Sequence, residues 1–136
     1  MNEITTYLTF NGNCGAAMKF YAKCLDAHLD IFPFTDWPGG APPGSKDLVM
    51  HATLTKGTAK LMASDAMPGM AYKHGNDFSI ALGCQSVEGT QKLFAALGEN
   101  GTVTMPLQDT FWGAYFGMVT DQFGINWMFN FDKPKP

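Results

Sequence analysis

With 136 residues, of which 46% are hydrophobic and 13% aromatic, the chain is long enough to form one domain around a hydrophobic core. The net charge is −3 and the nine Lys and Arg residues are scattered, which excludes the basic surface that nucleic-acid binding requires. The sequence starts without a signal pattern, and no apolar run approaches the roughly 18 residues of a membrane span. We therefore expect a cytoplasmic protein whose partners include neither nucleic acid nor membrane.

The first part of the chain predicts a strand, a helix and a second strand. Residues 4–10 are rich in Thr, Tyr and Phe and end at an Asn-Gly-Asn turn, the pattern of a strand followed by a turn. Residues 14–25 carry apolar side chains at helical spacing, and residues 29–34 favour another strand. Proline and glycine dominate residues 36–44, which therefore predict a surface loop of the kind that often binds ligands.

The cysteines form neither a metal-binding nor a disulfide pattern. Three is an odd number, and Cys14, Cys24 and Cys84 show no CxxC spacing and have no histidine neighbours. Asn13 is placed to cap the first helix, which puts Cys14 in the first turn, where the helix dipole lowers the pKa of a thiol. The alternative is that Cys14 is a small residue packed in the core.

A hairpin is predicted next, from residues 48–55 and 58–64 around a two-residue turn at Lys56-Gly57. This register sets Thr55 opposite Thr58, Thr53 opposite Lys60, and His51 opposite Met62. One face of the hairpin is apolar and should pack on helices: Met50, Ala52, Leu54, Ala59, Leu61 and Ala63. The other face, which includes His51, Thr53 and Met62, should face solvent or a cleft.

The second part of the chain predicts the same order of elements. After a linker at about 66–76, residues 78–83 alternate as a strand and residues 87–98 form a helix. A short strand at 102–107 is interrupted by Pro106. The last hairpin joins residues 115–121 and 125–131, with Trp127, Phe129 and Phe131 on one face and Asn126, Met128 and Asn130 on the other. The tail, residues 132–136, should be disordered.

Strand, helix and three strands thus occur twice, with an offset of about 73 residues. We predict an α+β fold of paired βαβββ modules, at about 3–65 and 77–131, in a single domain that spans residues 1–136. The two modules should form a curved mixed sheet, with the helices outside and a concave cleft lined by the more polar faces of the strands.

Four segments carry a resemblance to a known family: Tyr7-Leu8-Thr9-Phe10-Asn11-Gly12-Asn13 with Ala17 and Phe20-Tyr21, Leu61-Met62-Ala63-Ser64-Asp65-Ala66-Met67-Pro68, Gln108-Asp109-Thr110-Phe111-Trp112-Gly113, and Thr120-Asp121-Gln122-Phe123-Gly124-Ile125-Asn126-Trp127. Together they resemble the PhnB-like branch of the vicinal oxygen chelate superfamily, which includes glyoxalase I, bleomycin-resistance proteins and extradiol dioxygenases. The resemblance implies paired βαβββ modules and a homodimer. Enzymes of the superfamily hold a divalent metal with four His, Glu or Gln side chains, two from each module.

The resemblance places the four ligand positions at Thr6, Met62, Ser79 and Met128. Neutral hydroxyls bind divalent ions weakly, and thioethers suit soft copper(I) rather than Zn, Ni, Mn or Fe. A shift of the alignment by one residue brings in no better set of ligands, namely Tyr7, Leu61, Ile80 and Trp127. We therefore expect no metal ligands and no cofactor, although the family itself allows a divalent metal.

His51 and Asp65 are the nearest candidates for acid or base catalysis. The simpler alternatives are a strand histidine with satisfied hydrogen bonds and an aspartate that caps the turn before Pro68. Gln108, Asp109 and Trp112 together could hold a flat or cationic ligand. The full set of residues expected to line the cleft is Thr6, His51, Met62, Ser79, Gln108, Trp112, Met128 and Asn130.

The sequence leads to one main functional hypothesis with two alternatives. The main hypothesis is a PhnB-like protein that binds a small, partly apolar molecule in the cleft without a metal. The first alternative is a lyase, isomerase or dioxygenase of the glyoxalase type, with an unconventional site around His51, Asp65 and Gln108. The second is a protein that sequesters its ligand without chemistry, as bleomycin-resistance proteins do.

Overall fold

The computed structural model describes every residue except Pro136, and the described residues form two compact units, 1–73 and 74–135. Each unit contains one α-helix and a four-stranded mixed sheet, and the first unit also has a 3-10 helix at Phe34–Asp36. The elements of the first unit are β1 (Thr6–Phe10), α1 (Cys14–Leu25), β2 (His28–Pro33), β3 (Val49–Lys56) and β4 (Ala59–Asp65). Those of the second unit are β5 (Ile80–Gly83), α2 (Val87–Leu97), β6 (Thr102–Asp109), β7 (Ala114–Thr120) and β8 (Asn126–Asp132).

Both sheets have the same topology, which confirms the predicted α+β fold of two βαβββ units. The strand orders are β1-β4-β3-β2 and β5-β8-β7-β6. In each sheet the first strand runs parallel to the last one, and the remaining neighbours are antiparallel. We call the side of each sheet that packs on its helix the helix face, and the opposite side the open face.

The core of the first unit lies between α1 and its sheet. Ala17, Met18 and Tyr21 on α1 are buried, as are Leu8 and Phe10 on β1. These positions follow from the helical spacing of the apolar residues in α1 and from their alternation in the strands. The hairpin adds buried residues to the same helix face: Ala52, Leu54, Leu61 and Ala63.

The register of this hairpin differs by two residues from the predicted one. Lys56 pairs with Ala59, so that the turn consists of Gly57 and Thr58 rather than Lys56 and Gly57. Gly57 has a φ of 58°, and a two-residue turn with glycine at its first position is a preferred hairpin geometry. Because the shift is an even number of residues, the predicted faces are kept. Thr53, and not His51, lies opposite Met62.

Met50 lies at a β-bulge that the sequence analysis missed. Phe32 pairs with His51 whereas Pro33 pairs with Val49, so that Met50 is an extra residue on β3. The bulge leaves Val49 buried in the core. Met50 lines a cavity with Thr9 on the open face. The prediction that Met50 packs with the apolar face of the hairpin was therefore wrong.

The core of the second unit is aromatic. Trp127 and Phe129 on β8 are buried, and the ring of Phe129 lies edge-on to Phe94 of α2 at 5.2 Å. The side chain of Ser86 caps α2 by accepting a 2.9 Å hydrogen bond from the N–H of Gly89. Strand β6 continues to Asp109, beyond the predicted end. Its register with β7 is irregular on both sides of Met105, and Pro106 is accommodated because β6 is an edge strand.

The last strand extends into the segment predicted to be a disordered tail. Asp132 is its final residue, and the N–H of Lys133 donates a 3.0 Å hydrogen bond to the carbonyl of Gly113. Pro136, the end of that predicted tail, lies outside the described residues. Residues 66–79, which include the predicted linker, contain neither helix nor strand. Neither helix of residues 1–135 has the length and apolar character needed to cross a membrane.

Candidate functional site

The open face of the first sheet carries a row of polar and thioether side chains. Asp30 pairs with Thr53, Thr53 with Met62, and Met62 with Tyr7, so that one residue from each strand lies in line. Residues in register share a face because side chains alternate along each strand. Thr53 and Met62 are half-buried, whereas Tyr7 and Asp30 are exposed. This face is therefore accessible and chemically mixed.

His51 lies beside that row and is held by its neighbours on both sides. Its Nδ1 is 3.0 Å from the hydroxyl of Tyr7, and its Nε2 is 3.0 Å from Oγ1 of Thr53. Its ring lies nearly parallel to those of Tyr7 and Phe32, with centroids 5.7 Å and 6.3 Å away. A neutral imidazole offers one donor and one acceptor, and a hydroxyl can serve as either, so both ring nitrogens have partners. Any catalytic role of His51 stays a prediction.

The open face of the first unit contains a cavity of about 230 Å³. Phe34, Trp37, Met50, Met67 and Met70 form its apolar walls. The rings of Phe34 and Trp37 are nearly parallel, with centroids 5.9 Å apart. The polar part of the lining comes from Thr9 and Ser64, which are register neighbours on β1 and β4. The lining combines an aromatic wall, flexible thioethers and two hydroxyl groups.

Asp65 holds the first unit together through its backbone contacts. Its Oδ1 accepts hydrogen bonds of 2.9 Å from the N–H groups of both Gly12 and Cys14, and its Oδ2 accepts one of 2.8 Å from the N–H of Val49. The residue is buried and joins the end of β4 to the start of α1 and of β3. Because both oxygens are occupied by backbone donors, this geometry suits a structural role better than proton transfer.

Cys14 is buried, in agreement with the second of the two alternatives for this residue. It is the first residue of α1, and Asn13 makes no side-chain capping bond. Burial, and to a smaller extent the negative charge of Asp65, raise the pKa of the thiol to about 12. The prediction that the helix dipole lowers this pKa was wrong, because burial outweighs the dipole.

Thr6 and Ser79 do not lie on equivalent faces of their two sheets. Thr6 pairs with Leu61, which is buried against α1, so Thr6 belongs to the helix face of its sheet. Ser79 lines a cavity on the open face of the second unit. Thr6 corresponds in the second sheet to Ile80, which pairs with the buried Trp127, so the first strands are related by an offset of 74 rather than 73. A slip of one residue exchanges the faces of a strand. Tyr7, rather than Thr6, shares the open face with Met62.

The open face of the second sheet is rich in methionine and amide side chains. Met118 and Met128 lie in one row across β7 and β8, and Gln108, Phe116 and Asn130 lie in the next across β6, β7 and β8. A cavity of about 430 Å³ on this unit has a mixed polar and apolar lining. Its side chains come from His74, Asn76, Ser79, Thr104, Met118, Val119, Thr120, Asn126 and Trp127.

The predicted aromatic plate lies in the turn between β6 and β7. The ring of Trp112 is edge-on to those of Phe111 and Phe116, at 5.0 Å and 6.1 Å. Gln108 is the register partner of Phe116, which brings the amide to the same face. Asp109, by contrast, pairs in register with Tyr115 and forms an ion pair with Lys133. The structure therefore groups Gln108 with Trp112 but places Asp109 elsewhere.

The donor groups on the two sheets do not fit the divalent metal that the family resemblance implies. Among residues 1–135, no three His, Cys, Asp or Glu side chains come close enough together to hold a metal ion. Met62 and Tyr7 on the first sheet offer a thioether and a phenol, and Met128 and Ser79 on the second unit offer a thioether and a hydroxyl. Divalent ions such as Zn²⁺, Mn²⁺ and Fe²⁺ favour imidazole and carboxylate instead. The first sheet also carries the imidazole of His51 and the carboxylate of Asp30, but within residues 1–135 they are not joined by a third such group, and both nitrogens of His51 already have partners.

Tyr7, Phe34 and Trp37 are candidate site residues that the sequence alone did not single out. The family alignment reaches Tyr7 only when it is shifted by one residue. Because Tyr7 follows Thr6 directly in the strand, its side chain lies on the opposite face of the sheet from that of Thr6. Trp37 lies in the proline-rich segment that predicted a binding loop, and an exposed Trp in such a loop was the available signal. Phe34 could be assigned only once its contact with Trp37 was known.

Comparisons with known proteins agree on one family. The family model described as 3-demethylubiquinone-9 3-methyltransferase matches residues 2–129. Protein YjdN of Escherichia coli K12 is 35% identical, over 98% of this chain and 97% of its own. Among solved structures, protein PA1353 from Pseudomonas aeruginosa is 44% identical with a TM-score of 0.90, covering 98% of this chain and 100% of its own. A PhnB protein from Bacillus cereus is 27% identical with a TM-score of 0.77, covering 96% and 99%.

A similarity of fold alone extends to a wider group of proteins. Two solved members of the glyoxalase/bleomycin resistance protein/dioxygenase group, with identities of 12% and 13%, reach TM-scores of 0.67 and 0.71. They share the two four-stranded mixed sheets and two helices of this chain. The chain belongs to the PhnB-like family whose model carries the 3-demethylubiquinone-9 3-methyltransferase description, and it shares its fold with members of the glyoxalase/bleomycin resistance/dioxygenase group.

Proposed function

We propose that this protein binds a small, uncharged and partly aromatic molecule on the open face of its first unit, without a divalent metal. The observation that carries the proposal is the cavity of about 230 Å³ with an aromatic wall from Phe34 and Trp37. Binding sites for small molecules are typically concave and mostly apolar, with a few polar groups that fix orientation. The hydroxyls of Thr9 and Ser64 supply such groups.

The charges near the cavity favour a neutral ligand. Asp65 is the charged residue in the lining, and its carboxylate already accepts three backbone hydrogen bonds. A cationic ligand would have to compete with those bonds, and an anionic ligand would find no cationic side chain in the lining. The volume lies below the range of about 300–1,000 Å³ that is common for drug-sized ligands. The expected ligand is therefore a metabolite with one ring and one or two polar atoms.

Thermal unfolding with a panel of small neutral aromatics tests this proposal. A ligand that binds the native state raises Tm by mass action, by several degrees at ligand concentrations far above Kd. Trp37→Ala should remove the rise, while Trp112→Ala, at another exposed tryptophan, should keep it. An equal rise in both variants, or one tightly held equivalent of Ni, Zn or Fe in the purified protein, would refute the proposal. S-adenosylmethionine, which the methyltransferase name of the family model suggests, is the charged comparison to this panel and should give no rise.

A second candidate function is acid–base catalysis by His51, in an enzyme of the glyoxalase type. The observation in its favour is the hydrogen-bonded chain from the Tyr7 hydroxyl through His51 to Thr53. Such a chain can move a proton between a bound molecule and the ring. Asp65 does not support this function, because its oxygens are taken by backbone donors. His51→Gln keeps a hydrogen-bonding side chain but cannot act as a base, so lost turnover with retained binding would favour catalysis.

Sequestration without chemistry is the remaining alternative, and it predicts saturable binding with the ligand recovered unaltered. We also propose a cytoplasmic homodimer, as the family resemblance implies. The nearly complete exposure of Phe111, at 97%, supports an association surface at the turn between β6 and β7.

A further inference from the structure

The cavity of the second unit differs in chemistry from that of the first. Its volume of about 430 Å³ lies within the range of about 300–1,000 Å³ that is common for ligand sites. The half-buried Met118, Thr120 and Asn126 line it on the open face of the sheet, and the exposed Ser79 and Thr104 line it as well. All of its lining residues belong to the second unit.

The segment before β5 contacts this part of the sheet at two points and forms one wall of the cavity. The ring of His74 packs against Gly124 in the turn between β7 and β8, where a Cβ atom would lie 3.0 Å from both Cε1 and Nε2 of the ring. Further along the segment, the carbonyl of Phe78 accepts a 3.4 Å hydrogen bond from Nδ2 of Asn126. The wall is therefore fixed by contacts at both of its ends.

We propose that this cavity is a second binding site, for a small uncharged molecule with several hydroxyl groups, such as a polyol or a monosaccharide. The lining offers hydroxyl, amide and imidazole groups, from Ser79, Thr104, Thr120, Asn76, Asn126 and His74. Hydroxyl and amide groups both donate and accept hydrogen bonds. The hydroxyl groups of a ligand do the same, so a polyol can satisfy donors and acceptors of the lining together.

The pair of Thr120 and Asn126 shows this complementarity in detail. The Thr120 hydroxyl donates a 2.6 Å hydrogen bond to Oδ1 of Asn126, so its oxygen can only accept a hydrogen bond from a ligand. Nδ2 of Asn126 carries two protons, of which one is donated to the carbonyl of Phe78 and the other can be donated to a ligand. An acceptor and a donor thus lie side by side, and one ligand hydroxyl can bond to both.

The same lining disfavours ions and flat aromatic molecules. Among residues 1–135, no Lys, Arg, Asp or Glu side chain lines this cavity, so an ion would lose water without gaining a permanently charged partner. Trp127 is buried and its N–H is bound to Asp121, so its ring offers no open face for stacking. The cavity of the first unit, with its wall of Phe34 and Trp37, has the opposite preference.

The test is an NMR titration of the ¹⁵N-labelled full chain with four uncharged probes: glycerol, erythritol, myo-inositol and D-glucose. We expect at least one probe to give saturable shifts of the side-chain amide signal of Asn126 and of the backbone signal of Gly124. Thr120→Val keeps the β-branched shape but removes the hydroxyl, and it should weaken binding of that probe by about tenfold. Thr55→Val is the matched control, because Thr55 is also half-buried on an open face but belongs to the first sheet, and it should leave the affinity unchanged.

Three results would overturn the proposal: no saturable shift with any of the four probes, an undiminished affinity of Thr120→Val, or tighter binding of gluconate or glucosamine than of D-glucose. The last result would assign the cavity to an anion or a cation. Thermal melts without ligand establish that each variant is folded. If Thr120→Val does not fold, Ser79→Ala takes its place with the same expected loss, because it removes an exposed hydroxyl of the lining outside the strands. None of these variants changes the cavity of the first unit, so the two binding proposals can fail separately.

Discussion

The indole Nε1 of Trp127 donates a 2.8 Å hydrogen bond to Oδ2 of Asp121, and both residues are buried in the second unit. The other carboxylate oxygen accepts the backbone N–H groups of Phe123 and Ile125 at 2.8 Å and 3.1 Å. These bonds fix the turn between β7 and β8 and anchor it to the core. They therefore give the Asp-x-Phe-Gly-x-x-Trp segment, residues 121–127, a structural role. The segment identifies the family through its structure rather than through chemistry at a site.

Replacing Asp121 with Asn should lower the free energy of unfolding by about 2–3 kcal/mol, because one of its buried donors would then face an amide NH₂ group. Urea unfolding followed by tryptophan fluorescence measures the effect. Asp47→Asn changes an exposed carboxylate in the same way and should stay within about 0.5 kcal/mol of the natural sequence. Equal stabilities of the two variants would show that the carboxylate is not needed.

The order of the elements could be predicted from the sequence because hydrophobic periodicity determines it. Apolar residues in α1 recur at helical spacing, and Trp127 and Phe129 alternate with Met128 and Asn130 in β8. The faces of the first hairpin were also predicted correctly except at Met50, even though its register was not. An error of two residues in the turn leaves every side chain on its face, so the hydrophobic pattern did not reveal it.

The details of the candidate site were harder to predict, since they depend on local irregularities and long-range contacts. Nothing in the sequence around Met50 marks the bulge that moves this residue to the open face. The pairing of Thr6 with Leu61 sets the faces of β1, and it connects residues far apart in the chain. The contact between Phe34 and Trp37 requires the conformation of a proline-rich segment that has no periodic pattern.

Gly117 should be intolerant of a side chain. A Cβ atom there would lie 2.8 Å from Cδ2 of Leu107 and 2.9 Å from Cε2 of Phe94, which leaves no room between β7 and α2. We expect Gly117→Ala to lower the free energy of unfolding by about 1–3 kcal/mol through overpacking. Gly83→Ala, in a strand position with no atom within 4 Å of the added Cβ, is the control and should be close to neutral. A neutral Gly117→Ala would contradict the close packing of helix and sheet.

Stability should fall at alkaline pH because of Cys14. Its pKa is raised from 9.0 to about 12, mainly by burial and secondarily by Asp65, whereas the thiol of the unfolded chain ionises near 9.0. The unfolded state therefore loses its proton first, and the contribution is fully present below pH 9 and lost between pH 9 and 12. The free energy of unfolding, measured from pH 7.5 to 10.5, should decline less steeply in Cys14→Ala than in the natural sequence.

Cys84→Ala provides the comparison for this pH series, since Cys84 is only partly buried and its variant should keep the steep decline. Parallel pH profiles for Cys14→Ala and the natural sequence would show that the thiol of Cys14 does not contribute. Alkylation at pH 8 gives a second readout, because a buried neutral thiol reacts slowly. Cys14 should be modified only on unfolding.

Phe111 should contribute to association of the chain. Its side chain is 97% exposed and lies edge-on to Trp112, an arrangement that leaves apolar surface in water. Phe111→Ser should shift the proposed dimer towards monomer in light scattering after size-exclusion chromatography, without lowering Tm of the monomer. Tyr72→Ser changes another exposed aromatic residue and should leave the molar mass unchanged. A dimer that persists in Phe111→Ser would place the association surface elsewhere.

The most direct test of the proposed function is to observe the cavity of the first unit while a ligand enters it. The methyl groups of Met50, Met67 and Met70 line this cavity, so ¹³C labelling of methionine provides reporters at the site. A suitable probe is 2-phenylethanol, which has one ring for the wall of Phe34 and Trp37 and one hydroxyl for Thr9 and Ser64. We predict saturable shifts of these three signals that are lost in Trp37→Ala and unaffected by chelators. Shifts confined to other methionines, or binding that requires a divalent metal, would contradict the proposal.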